Sequence, residues 1–319
     1  MQIGKFVIRI EPMKIAPLLI LLLFFTGCEN TENQQKIVAK NNDASNDPFV
    51  LPPLPDEMVF CEQKINLQDE DIIERLDKEL LVNAYYHSAT IQAMKRASRY
   101  FPEMEKILKK NGIPEDFKYL AVIESGLIQA VSPAGAQGFW QFMPGTAKEH
   151  DLLMNTEVDE RLNIEKSTQA ACEYLKYAND TLKDWVLAAA SYNRGIGGVR
   201  SDMRWQYTTN YFDTHMNSET GRYVYRILAV KLIFENPEKY GYLIKEAELY
   251  KPLETKNVIV RESIPNLAEW SIAQGFNYKI VRKLNPWILG NKLTIKNKEF
   301  TLLLPKEHVN LKPYASYQK

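Results

Sequence analysis

The chain is poor in the residues that carry metal, redox and cofactor chemistry. Its 319 residues include 3 cysteines and 4 histidines, without metal-ligand spacing, so neither a zinc framework nor a dense disulfide scaffold is on offer. A glycine-rich phosphate loop and a dinucleotide fingerprint are missing too. No cofactor and no metal are therefore expected. Charge of one sign is equally lacking: Lys+Arg and Asp+Glu both number 40, so no net field draws the chain to nucleic acid. The apolar run near the amino terminus, Ile15 to Phe25 with Pro17 inside it, is shorter than the roughly 20 residues that span a bilayer. What is present is core-forming material. A hydrophobic content of 45% suffices for one domain of about 150–200 residues and a small second one.

Glu124 is set among core-forming residues. It ends the run Tyr119-Leu120-Ala121-Val122-Ile123 and is followed at once by Ser125-Gly126. Apolar neighbours disfavour its charged form, and the glycine reads as the stop of a helix whose negative dipole end faces the acid. Both raise the pKa, as a general acid working near neutral pH requires. The same run also fits a surface glutamate at a helix end, or a carboxylate paired with a buried arginine.

Two further stretches bear on the choice. Ser132 to Gly138 supplies small and turn-forming residues that lead into Phe139-Trp140-Gln141-Phe142-Met143-Pro144. Aromatic faces carry sugar rings, and the Gln141 amide suits hydroxyls or an acetamido group; an ordinary core loop with Phe139 and Phe142 buried fits as well, and both can hold. Trp185 to Gly195 is a helix of small residues that delivers Tyr192 and Asn193 just before a Gly-rich turn. Tyr192 suits the acid or a sugar, and Asn193 equally suits a helix C-cap.

Together these segments resemble the soluble lytic transglycosylase and goose-type lysozyme superfamily, most closely its membrane-bound lytic murein transglycosylase D type. The matching text is Gly112 to Phe117 ahead of Ile123-Glu124-Ser125-Gly126, then Gly135 to Ala147, Asp159-Glu160-Arg161, Ala189-Ala190-Ser191-Tyr192-Asn193 and Glu219 to Val224. It stands in family order between Asp69 and Tyr242. Ser191 replaces a common alanine and Asn217 a frequent proline, and neither change removes a chemical group. The resemblance implies a mainly α chain with a lysozyme-like helical catalytic domain (59–250) that cleaves the MurNAc-GlcNAc β-1,4 bond of peptidoglycan. Glu124 falls on the family's catalytic acid, which then serves as base, so that the product ends in 1,6-anhydro-MurNAc without hydrolysis. Ser125 falls on a residue that orients the acid. Gln141, Tyr192 and Asn193 fall on substrate-binding cleft positions, and Glu219 and Tyr223 on a later segment facing the acid. Asp159 is the candidate second carboxylate, although Asp159-Glu160-Arg161 reads equally as a solvated or salt-bridging loop. A goose-type lysozyme-like hydrolase and a non-catalytic peptidoglycan-binding lipoprotein are the rival readings.

Ile73, Leu76, Leu80, Ala84, His87, Ile91 and Met94 recur at three and four, one stripe of a long amphipathic helix with His87 as a core histidine. Lys166 to Tyr177 and Arg222 to Phe234 follow the same period. Cys61 and Cys172 are free to bridge in an oxidising compartment, or to stay as buried thiols.

At the amino terminus, Lys14, the apolar segment and Phe25-Thr26-Gly27-Cys28 have the layout of a signal peptide. The end of that segment resembles a bacterial lipoprotein processing site. This implies a signal peptide over 1–27, lipidation of Cys28 and a membrane partner reached through that anchor, outer-membrane and periplasm-facing by family habit. Met13-Lys14 is the more usual opening for such a signal, leaving the start open between Met1 and Met13. Residues 28–58 read as a polar, then Pro-stiffened tether. At the other end (251–319), strand-like Val258-Ile259-Val260, helices at Asn266 to Gln274 and Tyr278 to Leu284, Asn285-Pro286, and a strand at Phe300 to Pro305 resemble a small α+β LysM glycan-binding module. Arg261-Glu262-Ser263 replaces its usual Gly-Asp-Thr start.

Overall fold

The computed structural model describes residues 51–296 and 298–307. The signal peptide, Cys28 and most of the tether lie outside the described residues. The body opens with a hairpin, β1 Met58–Phe60 antiparallel to β2 Gln63–Ile65 in the register Met58↔Ile65. Cys61 and Glu62 turn it at φ 49° and 65°, the left-handed region that two-residue hairpins demand. Burial offsets that cost: Met58, Phe60 and Cys61 are all in the core, and the Cys61 N–H donates to Asp116 at 2.7 Å.

Helix α1, Glu70–Tyr85, starts where the Asp69 carboxylate accepts the Asp71 and Ile72 N–H groups, a cap worth about 1 kcal/mol. The single long helix expected here is two. The backbone breaks at Tyr86 (φ −84°, ψ 51°) and α2 runs His87–Lys110. Beyond the break Ile91 and Met94 still pack on the core as expected. Ile72, not Ile73, joins Leu76, Leu80 and Ala84 in the core, and His87 is exposed, its ring edge-on to Tyr85 and Tyr242.

The helical part continues with α3 Lys118–Ser125, α4 Pro144–Glu149, α5 Ile164–Leu182, α6 Trp185–Arg194, α7 Ile196–Gln206 and α8 Thr220–Glu235. Helix α8 is the central one. Tyr223, Val224, Tyr225, Ile227, Leu228, Ala229, Val230, Leu232 and Ile233 are all buried, so it is covered nearly all round, as only an interior helix can be. Ala188, Ala189 and Ala190 on α6 have no exposed surface, and their small size lets α6 lie close against both α5 and α8. Cys172 on α5 and Cys61 are separate buried thiols rather than a bridge.

The C-terminal part comprises β3 Thr255–Val260, α9 Leu267–Ala273, α10 Tyr278–Leu284 and β4 Phe300–Pro305. β3 and β4 pair antiparallel from Thr255↔Pro305 to Val260↔Phe300. Buried Asn285 joins helix to strand: its amide donates to the Val281 and Leu303 carbonyls and its oxygen accepts the Leu303 N–H at 2.8 Å. This part has its own core around Leu267, Phe276, Val281, Trp287, Ile288 and Leu302, and Val158 and Leu162 from the helical part are built into it.

Candidate active site

Helix α3 ends at Ser125 because Gly126 adopts φ 57° and ψ 24° and returns its N–H to the Val122 carbonyl, a left-handed conformation that glycine adopts without steric penalty. Arg96 on α2 donates to the Gly126 carbonyl at 2.7 Å. The stop leaves Glu124 in the last turn, partly buried. Burial raises its pKa; the Tyr223 hydrogen bond and the Arg226 charge pull it down, and the Glu219 charge pushes it up again. Burial prevails.

Tyr223 reaches the acid from α8, and its hydroxyl donates to Glu124 Oε1. Desolvation and the nearby carboxylate hold the Tyr223 phenol far above its ordinary range, so it stays a donor. One turn further along α8, Arg226 donates to the Ile123 carbonyl at 3.1 Å, which places its charge beside the acid. Sequence reasoning missed Arg226; the signal available was its spacing of three from Tyr223, which puts both on one helix face. Glu219 lies exposed at the start of α8.

The remaining expected residues bond to the surrounding backbone and helices rather than to the acid. Ser125 Oγ lies 3.0 Å from the Ala121 carbonyl and 2.9 Å from the Phe139 carbonyl, and accepts the Leu127 N–H. It therefore ties the end of α3 to the aromatic loop. Gln141 has φ 47°, and its amide nitrogen donates to the Ala130 and Gly138 carbonyls at 3.1 and 2.8 Å, leaving only its oxygen for a ligand. Tyr192 donates to the Trp140 carbonyl at 2.8 Å, not to the acid, although its buried phenol is raised by the Glu124 charge after desolvation. Asn193 accepts from Thr220 Oγ1 at 2.7 Å, linking α6 to the start of α8 instead of capping its own helix. Phe139, Trp140 and Phe142 are buried, so the aromatic cluster is core and its ring faces are closed to a sugar. Trp140 satisfies its indole N–H on Thr168 at 2.9 Å.

Asp159 is not solvated, and its carboxylate bonds to Arg161 rather than to the acid; of the two loop readings, the salt-bridging one holds. It is 4% exposed and holds Arg161 through contacts of 2.7 and 2.9 Å. Arg161 spends its other nitrogen on the Gly135 and Phe142 carbonyls at 2.8 and 3.1 Å, and so closes the loop that carries Gln141. Approach here is close enough that a Cβ on Gly138 would meet the Arg161 carbonyl oxygen at 2.1 Å; only glycine fits.

The geometry thus offers one raised carboxyl group, a phenol on one of its oxygens and a loop braced by a buried ion pair. Residues 102–214 match the family model described as the transglycosylase SLT domain, and residues 256–308 that of the soluble lytic transglycosylase C-terminal LysM-like domain. The chain therefore carries the domain pair of the lytic transglycosylases and is an enzyme of that class, a lyase, with a mainly helical fold and a LysM-like C-terminal part. Membrane-bound lytic murein transglycosylase D of Escherichia coli K12 is 25% identical over 321 residues, covering 93% of this chain and 69% of that protein. A putative tributyltin chloride resistance protein of Alteromonas sp. strain M-1 is 29% identical over 117 residues, 36% of this chain and 56% of the other. Among solved structures, an inactive mutant of lytic transglycosylase Slt from Pseudomonas aeruginosa is similar at 25% identity and a TM-score of 0.36, over 47% of this chain and 26% of that longer one.

Proposed function

We propose that the chain cleaves peptidoglycan glycan strands at the MurNAc-GlcNAc bond without water, using Glu124 first as acid and then as base. Protonated Glu124 donates to the glycosidic oxygen as C1 becomes oxocarbenium-like, and the substrate's own acetamido group supports that charge. The carboxylate then takes the proton of the C6 hydroxyl of the same MurNAc, whose oxygen closes on C1. No proton is gained or lost overall, and the product carries a 1,6-anhydro end. Most glycosidases need a second carboxylate across the bond; attack within one ring has a high effective concentration and does not.

The observation that carries this reading is the fate of the carboxylates. Glu124 is held by burial in a state that favours its proton, whereas Asp159, the candidate partner for a hydrolase, is committed to Arg161. Mass spectrometry of digested glycan tests it: anhydro ends lie one water below the reducing ends that hydrolysis would leave. Lipidation at Cys28, with the enzyme held at the envelope and facing the periplasm, belongs to the same proposal, supported by the signal-like amino terminus and by a membrane-bound relative.

The pH profile offers a paired check. The alkaline limb of kcat/KM follows loss of the Glu124 proton. Tyr223→Phe removes a bond that favours the carboxylate, so the limb moves to higher pH; Glu219→Gln removes a charge that disfavours it, so the limb moves to lower pH. Shifts in the same direction, or none, would detach these residues from the acid.

A further inference from the structure

A short segment, 157–162, lies between the C-terminal module and the loop that carries Gln141. On the module side, the Asp159 N–H donates to the Trp287 carbonyl and the Leu289 N–H to the Glu157 carbonyl, both at 2.8 Å. The Glu157 carboxylate accepts the Thr294 N–H at 2.8 Å and the Thr294 hydroxyl at 3.1 Å, and pairs with Lys292 at 3.0 Å. Val158 and Leu162 sit in the module's own core. On the loop side, Arg161 grips the Gly135 and Phe142 carbonyls, the Leu162 carbonyl accepts from Gln129 at 2.9 Å, and Gly138 abuts the Arg161 carbonyl.

We propose that the C-terminal module is a brace for the cleft loop, with Glu157 and Arg161 as positioning residues that carry its grip to Gln141. A module joined only to find glycan would be expected to meet its neighbour through few contacts across a free linker. Here main-chain pairing, an ion pair and a shared core converge on this one segment, and its Arg161 holds the loop through the Gly135 and Phe142 carbonyls. Removing the module's hold leaves the Asp159 N–H and the Val158 side chain facing water, and Arg161 then anchors the loop to a segment that is itself loose. The loop in turn supplies the Phe139 carbonyl beside Ser125 and the Trp140 carbonyl for Tyr192, so its order reaches the wall next to the acid.

The catalytic half of this inference rests on the proposed transglycosylase reading; the ordering of the loop does not. The test compares the full-length chain with Glu157→Ala and Glu157→Gln by amide hydrogen exchange and by steady-state kinetics on glycan strands. In the Ala variant the Gln137, Gly138 and Gln141 amides exchange about 10-fold faster or more, while Ala171 and Leu175 in α5 keep their protection. The Gln variant recovers most of that protection, because its amide oxygen still accepts from Thr294. KM rises in the Ala variant with kcat near wild type, since Glu124 is held from α3 and α8. Unchanged exchange in the loop with faster exchange at Leu289 and Thr294 would make the module an appendage and overturn the proposal, as would equal acceleration in α5. An inactive wild type would sink the transglycosylase reading and leave the exchange result standing.

Discussion

Glu124→Gln is expected to reduce glycan-strand cleavage by at least ~10²–10⁴-fold, the range supplied by a positioned acid, and at neutral pH to melt at a higher temperature than the wild type. The two halves share a cause. Glutamine keeps an oxygen to accept from Tyr223 but has no proton to give, so the chemistry stops while the packing persists. Stability follows from linkage. Burial raises the folded-state pKa of Glu124 above its unfolded value, so between those values the native chain binds more protons than the unfolded one. Stability therefore falls as pH rises through that window, and above it the whole cost of a buried carboxylate is borne. The amide bears none of it. Thermal melts across pH should show the variant ahead at neutral pH and the gap closing once the solution is below the ordinary carboxylate range. A well-folded Gln variant that still turns over at near-normal rate would take Glu124 out of the mechanism.

The second large effect lies away from the acid. Asp159→Ala leaves Arg161, 6% exposed, as an unpaired interior cation, and breaking one side of such a pair costs about 3–5 kcal/mol. A drop in melting temperature on the order of 10 °C follows. Removing both charges, as in Asp159→Leu with Arg161→Met, regains only part of this. An apolar pair avoids the lone cation, but the Gly135 and Phe142 carbonyls lose the donors that Arg161 gave them. Denaturant melts of both singles and the double, read as a cycle, separate the two contributions. If Asp159→Ala melts with the wild type, the ion pair does not hold the loop.

Much of this arrangement was legible in the sequence where the signal is local. An apolar run ending in a carboxylate and a glycine gave the end of α3, and three-four periodicity gave α5 and α8. The failures have physical causes. His87 continues the arithmetic of the stripe, but a period cannot register the backbone turning at Tyr86. The β1–β2 hairpin escaped because each strand is three residues long and its turn uses Cys61 and Glu62 at positive φ, where glycine would have been a signal. Phe139 and Phe142 fit both a sugar platform and a core loop, and only burial separates the two. Tyr223 and Glu124 are 99 positions apart, so no window of sequence shows their bond, and the family resemblance alone brought them together.

The two separate thiols have a consequence for the life of the molecule. Burial pushes Cys172 up to about 12 and Cys61 far up as well, and thiol–disulfide exchange needs the thiolate. Each sulfur is thereby shut out of exchange for as long as the packing around it stays closed. An oxidising surrounding would therefore leave these two positions without scrambled cross-links while the fold holds, and modification at either one would report opening of the packing around it.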